Sequence, residues 1–307
     1  MIPYVRQFAF EPGQVQAVSP LVQRLIAANP GPFTYTGTGT YVVGRPDPDA
    51  SVAVIDPGPM DEAHLQALLA AIGPRRVSHI LVTHRHRDHA PLARPLAQAL
   101  EATGPAPLVL AMAATHRPNH VSAPLDEEDD PDFEPDQALF DGQVIKGDGW
   151  TLEALFTPGH TSDHVAFALR EENALFSGDH IMGWSTSVVA PPDGDMTDYM
   201  ASLDRVIARN FTTLWPTHGP PVTQVGPFLQ AYRQHRLERE AQVLAQLYDG
   251  PATIADMVPV LYAAVDRRLW PAASLSVLAH LIKLVREGRV SVDGEADLAA
   301  TYSRAQG

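Results

Sequence analysis

The sequence predicts an α/β protein, a four-layer αββα sandwich, followed by a small helical domain. Three observations lead there. From residue 38 onward short β-branched runs alternate with amphipathic helical stretches, the same style repeats after residue 150, and beyond Asp249-Gly250-Pro251 the pattern turns mostly helical.

In the first half, residues 38–43 and 51–55 read as strands, the second closed by the turn Asp56-Pro57-Gly58. A helix over 61–72 takes Asp61 as its N-cap and sets Leu65, Leu68, Leu69 and Ile72 on one face; Gly73-Pro74 stops it. Residues 77–82 read as a buried strand, 91–101 as a helix and 107–112 as a strand. In the second half, 150–156, 165–169 and 174–176 are expected strands, 197–208 a helix and 213–215 a strand. A long helical pattern over 224–247 leads to the break at 249–251, which divides residues 1–248 from a tail at 249–307. In the tail 253–258, 260–268 and 272–287 read as three helices, with Thr253 as an N-cap, and 289–292 as a short strand, a winged-helix-like outline.

The 307 residues, 45% of them hydrophobic, suffice for one large α/β domain with a small appendage. Apolar stretches are broken by charge, Pro or His short of a membrane span, and no basic-then-apolar leader opens the chain, so no membrane partner and a cytoplasmic location are expected. The absence of cysteine excludes disulfides and thiolate metal sites. With 22 Lys and Arg against 36 Asp and Glu, the formal charge of -14 repels phosphate backbones and disfavours polynucleotides. The third tail helix offers only Lys283 and Arg286 among Leu275, Leu278, Leu281, Ile282 and Val285, so no DNA partner is expected; packing, a cleft edge or a homodimer contact suits it better. Between Asp126 and Asp136 eight of eleven residues are acidic, and with Pro131 and Pro135 they read as a solvated surface loop, with a lid over the cleft as the alternative.

The chemistry concentrates in Thr83-His84-Arg85-His86-Arg87-Asp88-His89, directly after an apolar run. His84 and His86, two apart on an extended segment, can aim both imidazoles at one ion, with Asp88 and His89 facing a neighbour. Imidazole nitrogen combined with carboxylate oxygen suits zinc, iron or manganese and not the oxygen cages of calcium or magnesium. Three later segments each end a hydrophobic run on a further ligand flanked by Gly or Pro: Pro158-Gly159-His160, Ser177-Gly178-Asp179 and Thr217-His218-Gly219.

The HxHxDH run with His160, Asp179 and His218, and Asp56-Pro57-Gly58 upstream, resembles the metallo-β-lactamase-fold hydrolases over the whole chain. Asn29-Pro30-Gly31-Pro32, Gly37-Thr38-Gly39-Thr40-Tyr41, Pro158-Gly159-His160-Thr161-Ser162-Asp163-His164 and Tyr199-Met200 are similar to the lactamase-β-like endoribonuclease branch, whose members carry a C-terminal winged helix. Gly39 departs from that branch, which usually has Asn there, removing an amide near the site.

The resemblance implies that residues 1–248 are the catalytic domain, that His84, His86 and His160 hold one divalent ion, that Asp88, His89 and His218 hold a second, and that Asp179 bridges the two. Two ions about 3.5–4 Å apart share a water and turn it into a bridging hydroxide that attacks an ester-type bond, whether thioester, lactone or phosphodiester. Asp88 is expected to carry the proton as well. Asp56 is read as supporting a ligand imidazole or pinning a turn, His164 as an oxyanion or substrate donor, and His180 as lying behind the site. Trp184-Ser185-Thr186 is read as cleft lining, and His64, His79, His116, His120, His235 and His280 as surface or helix-face residues.

Zinc is the expected metal. The expected substrate is a small ester-like molecule, with single-stranded RNA as the alternative the branch implies. A mononuclear-iron sulfur dioxygenase is the redox alternative.

Overall fold

The computed structural model describes residues 1–5, 8–102, 104–113 and 129–305. His116, His120 and the first part of the acidic run, Asp126 to Glu128, lie outside the described residues.

The first sheet has seven strands in chain order: β1 (Gln16–Ala17), β2 (Val22–Ile26), β3 (Gly39–Val43), β4 (Ser51–Ile55), β5 (Arg76–Leu81), β6 (Leu108–Ala111) and β7 (Gln137–Ala138). It is antiparallel through β4 and parallel from β4 to β7, with α1 (Glu62–Ile72) and α2 (Ala93–Glu101) as crossovers. Asp61 caps α1 by accepting from the His64 N–H, and Leu65, Leu68 and Ile72 are buried as the spacing predicts.

The second sheet runs β12-β11-β10-β9-β8, built from β8 (Val144–Gly147), β9 (Trp150–Phe156), β10 (Val165–Leu169), β11 (Ala174–Gly178) and β12 (Thr213–Pro216). Tyr41, Trp150, Phe167 and Phe176 fill the core between the sheets. The Trp150 indole N–H, buried with its ring, donates to the Ser51 carbonyl at 2.9 Å and so ties one sheet to the other.

Helices α1 and α2 pack on the outer face of the first sheet. Helices α3 (Met196–Arg209) and α4 (Val225–Ala245) cover the second, completing the αββα layers. Asp195 caps α3 through the N–H groups of Thr197 and Asp198, and Asn210 closes it in the left-handed conformation.

The tail is a winged helix with more sheet than the sequence pattern indicates. Strand β13 (Ala252–Thr253), α5 (Ile254–Leu261), α6 (Trp270–Arg286), β14 (Val290–Val292) and β15 (Thr301–Arg304) follow one another, and the strands pair as β13-β15-β14. Thr253 is the N-cap of α5, as expected, and forms a capping box with Asp256. The helix expected over 260–268 does not form: α5 holds Pro259 in its last turn and ends at Leu261, and only a 3-10 turn at Arg267–Leu269 precedes α6. Strands of two to four residues are too short to carry a two-residue periodicity, which is why β13 and β15 escape a pattern reading.

The stretch Arg267–Arg286 has the length and composition of a membrane span, contrary to the reading that every apolar stretch is too short. Its apolarity is used inside the fold, where Leu275, Val277, Leu278, Leu281 and Leu284 build the winged-helix core. Helix α4 serves both units, with Phe228, Leu229 and Tyr232 under the second sheet and Val243 in the winged-helix core. His64 and His280 are buried, not on the surface.

Gly159 shows how close the packing at the ligand loops is. It has φ 134°, and a Cβ there would lie 2.3 Å from the Tyr199 Cα in the first turns of α3. Gly159→Ala is therefore expected to cost about 3 kcal/mol, seen as a lowered midpoint in denaturant unfolding, whereas Gly226→Ala, which meets open space, should not lower it.

Candidate metal centre

The ligand candidates lie at strand ends. His84 to His89 follow β5, His160 follows β9, Asp179 follows β11 and His218 follows β12. Both sheets therefore deliver side chains to one edge of the sandwich. The chain brings all seven together in three overlapping groups: His84, His86 and His160; His84, His89 and Asp179; and Asp88, His89 and His218. Within each group the ligand atoms lie within 4.8 Å of one another.

The hydrogen bonds fix which nitrogen of each ring turns inward. His89 Nδ1 donates to Asp56 Oδ2 at 2.9 Å, and His160 Nδ1 donates to the Val188 carbonyl at 2.7 Å. His218 Nδ1 donates to the Gly37 carbonyl at 3.3 Å. Thr83 Oγ1 donates to Asp56 Oδ2 at 2.9 Å, so it receives the His84 Nδ1 proton at 3.0 Å. In its neutral form each of these four rings has its Nε2 lone pair facing the centre.

The result is a convergence of acceptors. His84 Nε2 lies 2.9 Å from His86 Nδ1, which lies 3.3 Å from His160 Nε2. Burial above all, then the neighbouring imidazoles, hold His84 well below its ordinary range; burial and His160 bring His86 down to about 3 despite Asp88. A proton on His86 Nδ1 can satisfy only one of these two contacts, whereas a cation among the three nitrogens satisfies all of them.

The other group leans the opposite way. Burial alone would lower His89 and His218, but Asp88, Asp179 and Asp56 lift His89 well above its usual range, and Asp179 and Asp88 lift His218 to about 10. Buried carboxylates there stabilise positive charge, whether carried by protons or by a metal. His89 Nε2 and Asp179 Oδ1 are buried without a hydrogen-bond partner in the protein, as metal-facing atoms would be. The donor set fits divalent metal ions.

Behind the ligands Asp56, buried and at φ 49°, accepts from the Thr83 N–H, Thr83 Oγ1, His89 Nδ1 and Thr217 Oγ1 at 2.8–3.1 Å. It therefore both supports an imidazole and pins the turn. His164 stands behind Asp179, away from the open side: its Nε2 accepts the Asp179 N–H at 3.1 Å and its Nδ1 meets Thr157 Oγ1 at 2.8 Å. A donor to substrate it is not. A Cβ at Gly178 would lie 2.4 Å from that Nε2, so the glycine lets Asp179 and His164 meet. His180 is in none of the ligand groups, and its ring lies 4.7 Å from the Tyr199 ring.

Sequence reasoning missed Asn29 and Thr38. Thr38 Oγ1 donates to Asp88 Oδ2 at 2.9 Å, while the Asn29 amide accepts from the Thr38 N–H and donates to Thr38 Oγ1. An amide is thus present beside the site, supplied from Asn29. Gly39 allows its own N–H to reach the Thr217 carbonyl at 2.8 Å; a Cβ would press to 2.9 Å against that oxygen. The signal available in sequence was the Asn29-Pro30 and Gly37-Thr38 pairing, which carries no spacing rule of its own.

A cavity of about 320 Å3 opens onto Asp88, Asp179 and His218, walled by Pro30, Phe33 and Arg87. Trp184 stacks on Tyr35 at 4.8 Å. The acidic segment is not wholly solvated, since Asp129 bridges to His86 in backbone pairing and its carboxylate stands 3.8 Å from His86 Nε2. Burial, then Asp163 and Asp193, push Asp129 up to about 6 against the pull of Arg85.

A two-sheet sandwich with a cluster of His and Asp able to hold metal at one edge is the architecture of a metal-dependent enzyme. A family model described as metallo-beta-lactamase superfamily matches residues 36–218, and one described as beta-lactamase associated winged helix domain matches 253–298. The chain belongs to the metallo-β-lactamase superfamily. It is similar to the lactamase-like protein adaB of Aspergillus niger, 31% identical over 298 residues that cover 92% of this chain and 86% of that protein. An atrochrysone carboxyl ACP thioesterase of Pseudocercospora fijiensis is 30% identical over 301 residues, 94% of this chain and 82% of the relative. In fold it is similar to a beta-lactamase domain protein from Burkholderia ambifaria, with a TM-score of 0.79 at 22% identity, over 99% of this chain and 97% of the other.

Replacing Asp56 by Asn keeps the volume but removes the charge and leaves one acceptor oxygen for the four donors, His89 Nδ1 among them, that the carboxylate takes. Retention of divalent metal should weaken about 10- to 100-fold, read by chelator competition, with circular dichroism unchanged.

Proposed function

We propose that this hydrolase cleaves a carbonyl ester of thioester type, with two divalent ions, zinc foremost, held in one site. His84, His86 and His160 would hold one ion, Asp88, His89 and His218 the other, with Asp179 between them. Divalent ions so held supply Lewis acidity toward a carbonyl oxygen and lower the pKa of water.

The observation that carries the reading is that the two ligand groups converge, and that Asp88, Asp179 and His218 among them line one small cavity. Asp88 has 19% of its side chain exposed, against 3% for Asp179, and Thr38 fixes its orientation. Asp88 is therefore the carboxylate that meets both water and substrate. It takes a proton from the attacking water; the water oxygen adds to the carbonyl carbon, the C–S bond breaks, and the proton passes to the departing sulfur. Asp179, its backbone held by His164, orients the ligands and stays out of the proton path.

The thioesterase name of one relative and the formal charge of -14 support a small carbonyl substrate over a polynucleotide.

The test is metal-loaded protein against acyl thioesters and unstructured single-stranded RNA, with Asp179→Ala as the blank. Thioester turnover should fall at least about 1,000-fold in the variant, and Asp88→Asn should lower kcat more than KM. RNA cleavage lost in Asp179→Ala, without thioester turnover, would replace this reading by an endoribonuclease.

A further inference from the structure

A second cavity, of about 890 Å3, lies between the segment leading into α3 and the winged helix. One wall is Pro191, Pro192 and Gly194, and the other is Leu275, Leu278 and Ile282 of α6. Its volume lies within the range of ordinary small-molecule sites, roughly 300–1,000 Å3.

Two features say what fits there. The first is charge. Among the described residues lining it the one cation, Arg286, is ion-paired with Asp195, and the Asp297 carboxylate accepts from the Ala299 and Ala300 N–H groups. An anionic ligand would find no uncommitted cation in this wall. The lining also holds the Asp195, Glu295 and Asp297 carboxylates, which add to that bias against an anion, and the rest of it, mostly Pro, Leu, Ile and Ala, suits an uncharged, apolar body.

The second is continuity with the metal centre. Phe33 lines the small cavity at the ligands and, with Val188 and Ala190, packs against the winged-helix core. All three are partly exposed, and Pro191 carries the strip on into the larger cavity. The same loop is bonded to the ligands: Val188 accepts the His160 Nδ1 proton, and a Cβ on Gly194 would lie 2.9 Å from the His160 carbonyl.

We propose that the winged helix is a substrate-binding module: the cavity against α6 receives the uncharged apolar body of the substrate, a long alkyl acyl chain, whose reacting end lies at the metal centre. The proposal rests on the thioester reading for the identity of that reacting end. Recognition of the acyl body then comes from the tail, and small acyl groups are handled at the mouth alone.

The test uses full-length, metal-loaded protein with Ser274→Trp, which puts an indole into the cavity from a partly exposed position on α6, and Ser274→Ala as control. Binding is read with the neutral fluorophore N-phenyl-1-naphthylamine. Turnover is read on N-acetylcysteamine thioesters from acetyl to dodecanoyl. The wild type and Ser274→Ala should bind the fluorophore at 1:1, and kcat/KM should rise with chain length by up to about fourfold per buried methylene. Ser274→Trp should weaken the fluorophore at least 10-fold and flatten the chain-length series, leaving acetyl turnover unchanged. A wild type that does not bind the fluorophore, a variant that binds it equally, or a chain-length series unaffected by the tryptophan overturns the proposal. If no thioester is cleaved, the reaction assigned above fails, and the fluorophore titration still decides whether the cavity binds an apolar body.

Discussion

The site depends on one buried carboxylate. Asp56 leaves the end of β4 and collects donors from three places: the Thr83 residue that opens the histidine run, the ligand His89 itself, and Thr217 beside His218. A carboxylate removed from water is costly unless its lone pairs are filled. Here they are filled by the segments that must be held in register across two sheets. The interaction satisfies a buried charge and also sets the spacing of the candidate metal ligands. The left-handed backbone at Asp56, an uncommon conformation for a residue with a side chain, is the local cost of aiming that carboxylate inward.

Much of the architecture was legible because the strands and helices are long enough to carry their periods. The run from β9 to α3, the cap at Asp61 and the ligand histidines all stand out by pattern or by clustered chemistry. What was hidden has a common physical cause: it depends on pairing between residues far apart in sequence. Thr38 supports Asp88 across fifty residues, His164 supports Asp179 across fifteen, and β15 completes a sheet with strands ten and more residues away. His64 looked like a helix-face residue but reaches Thr40 Oγ1 at 2.9 Å beneath the sheet. His280, on an apolar helix, is buried for the same reason that its neighbours are.

The winged helix and the sandwich are less separable than the Asp249-Gly250-Pro251 break implies. Helix α4 runs for 21 residues, roughly 30 Å at 1.5 Å per residue, and contributes side chains to both cores. Glu240 near its end binds Lys283 of α6 at 2.7 Å and Arg289 at 2.8 Å. On the far side Arg286 meets Asp195, the cap of α3. The loop over 187–195 is thus enclosed by the winged helix, α3 and α4, and it is the loop that orients His160.

Two of the four rings that turn Nε2 inward are oriented by main-chain carbonyls, those of Val188 and Gly37. A carbonyl is the same group whatever side chain follows it, so at position 188 the chemistry the metal centre needs is independent of residue identity. Within the limits set by packing on the winged helix, the side chain at 188 can change, and with it the shape offered to substrate, while the carbonyl that orients His160 stays in place. Such an arrangement separates the evolution of specificity from the evolution of the reaction.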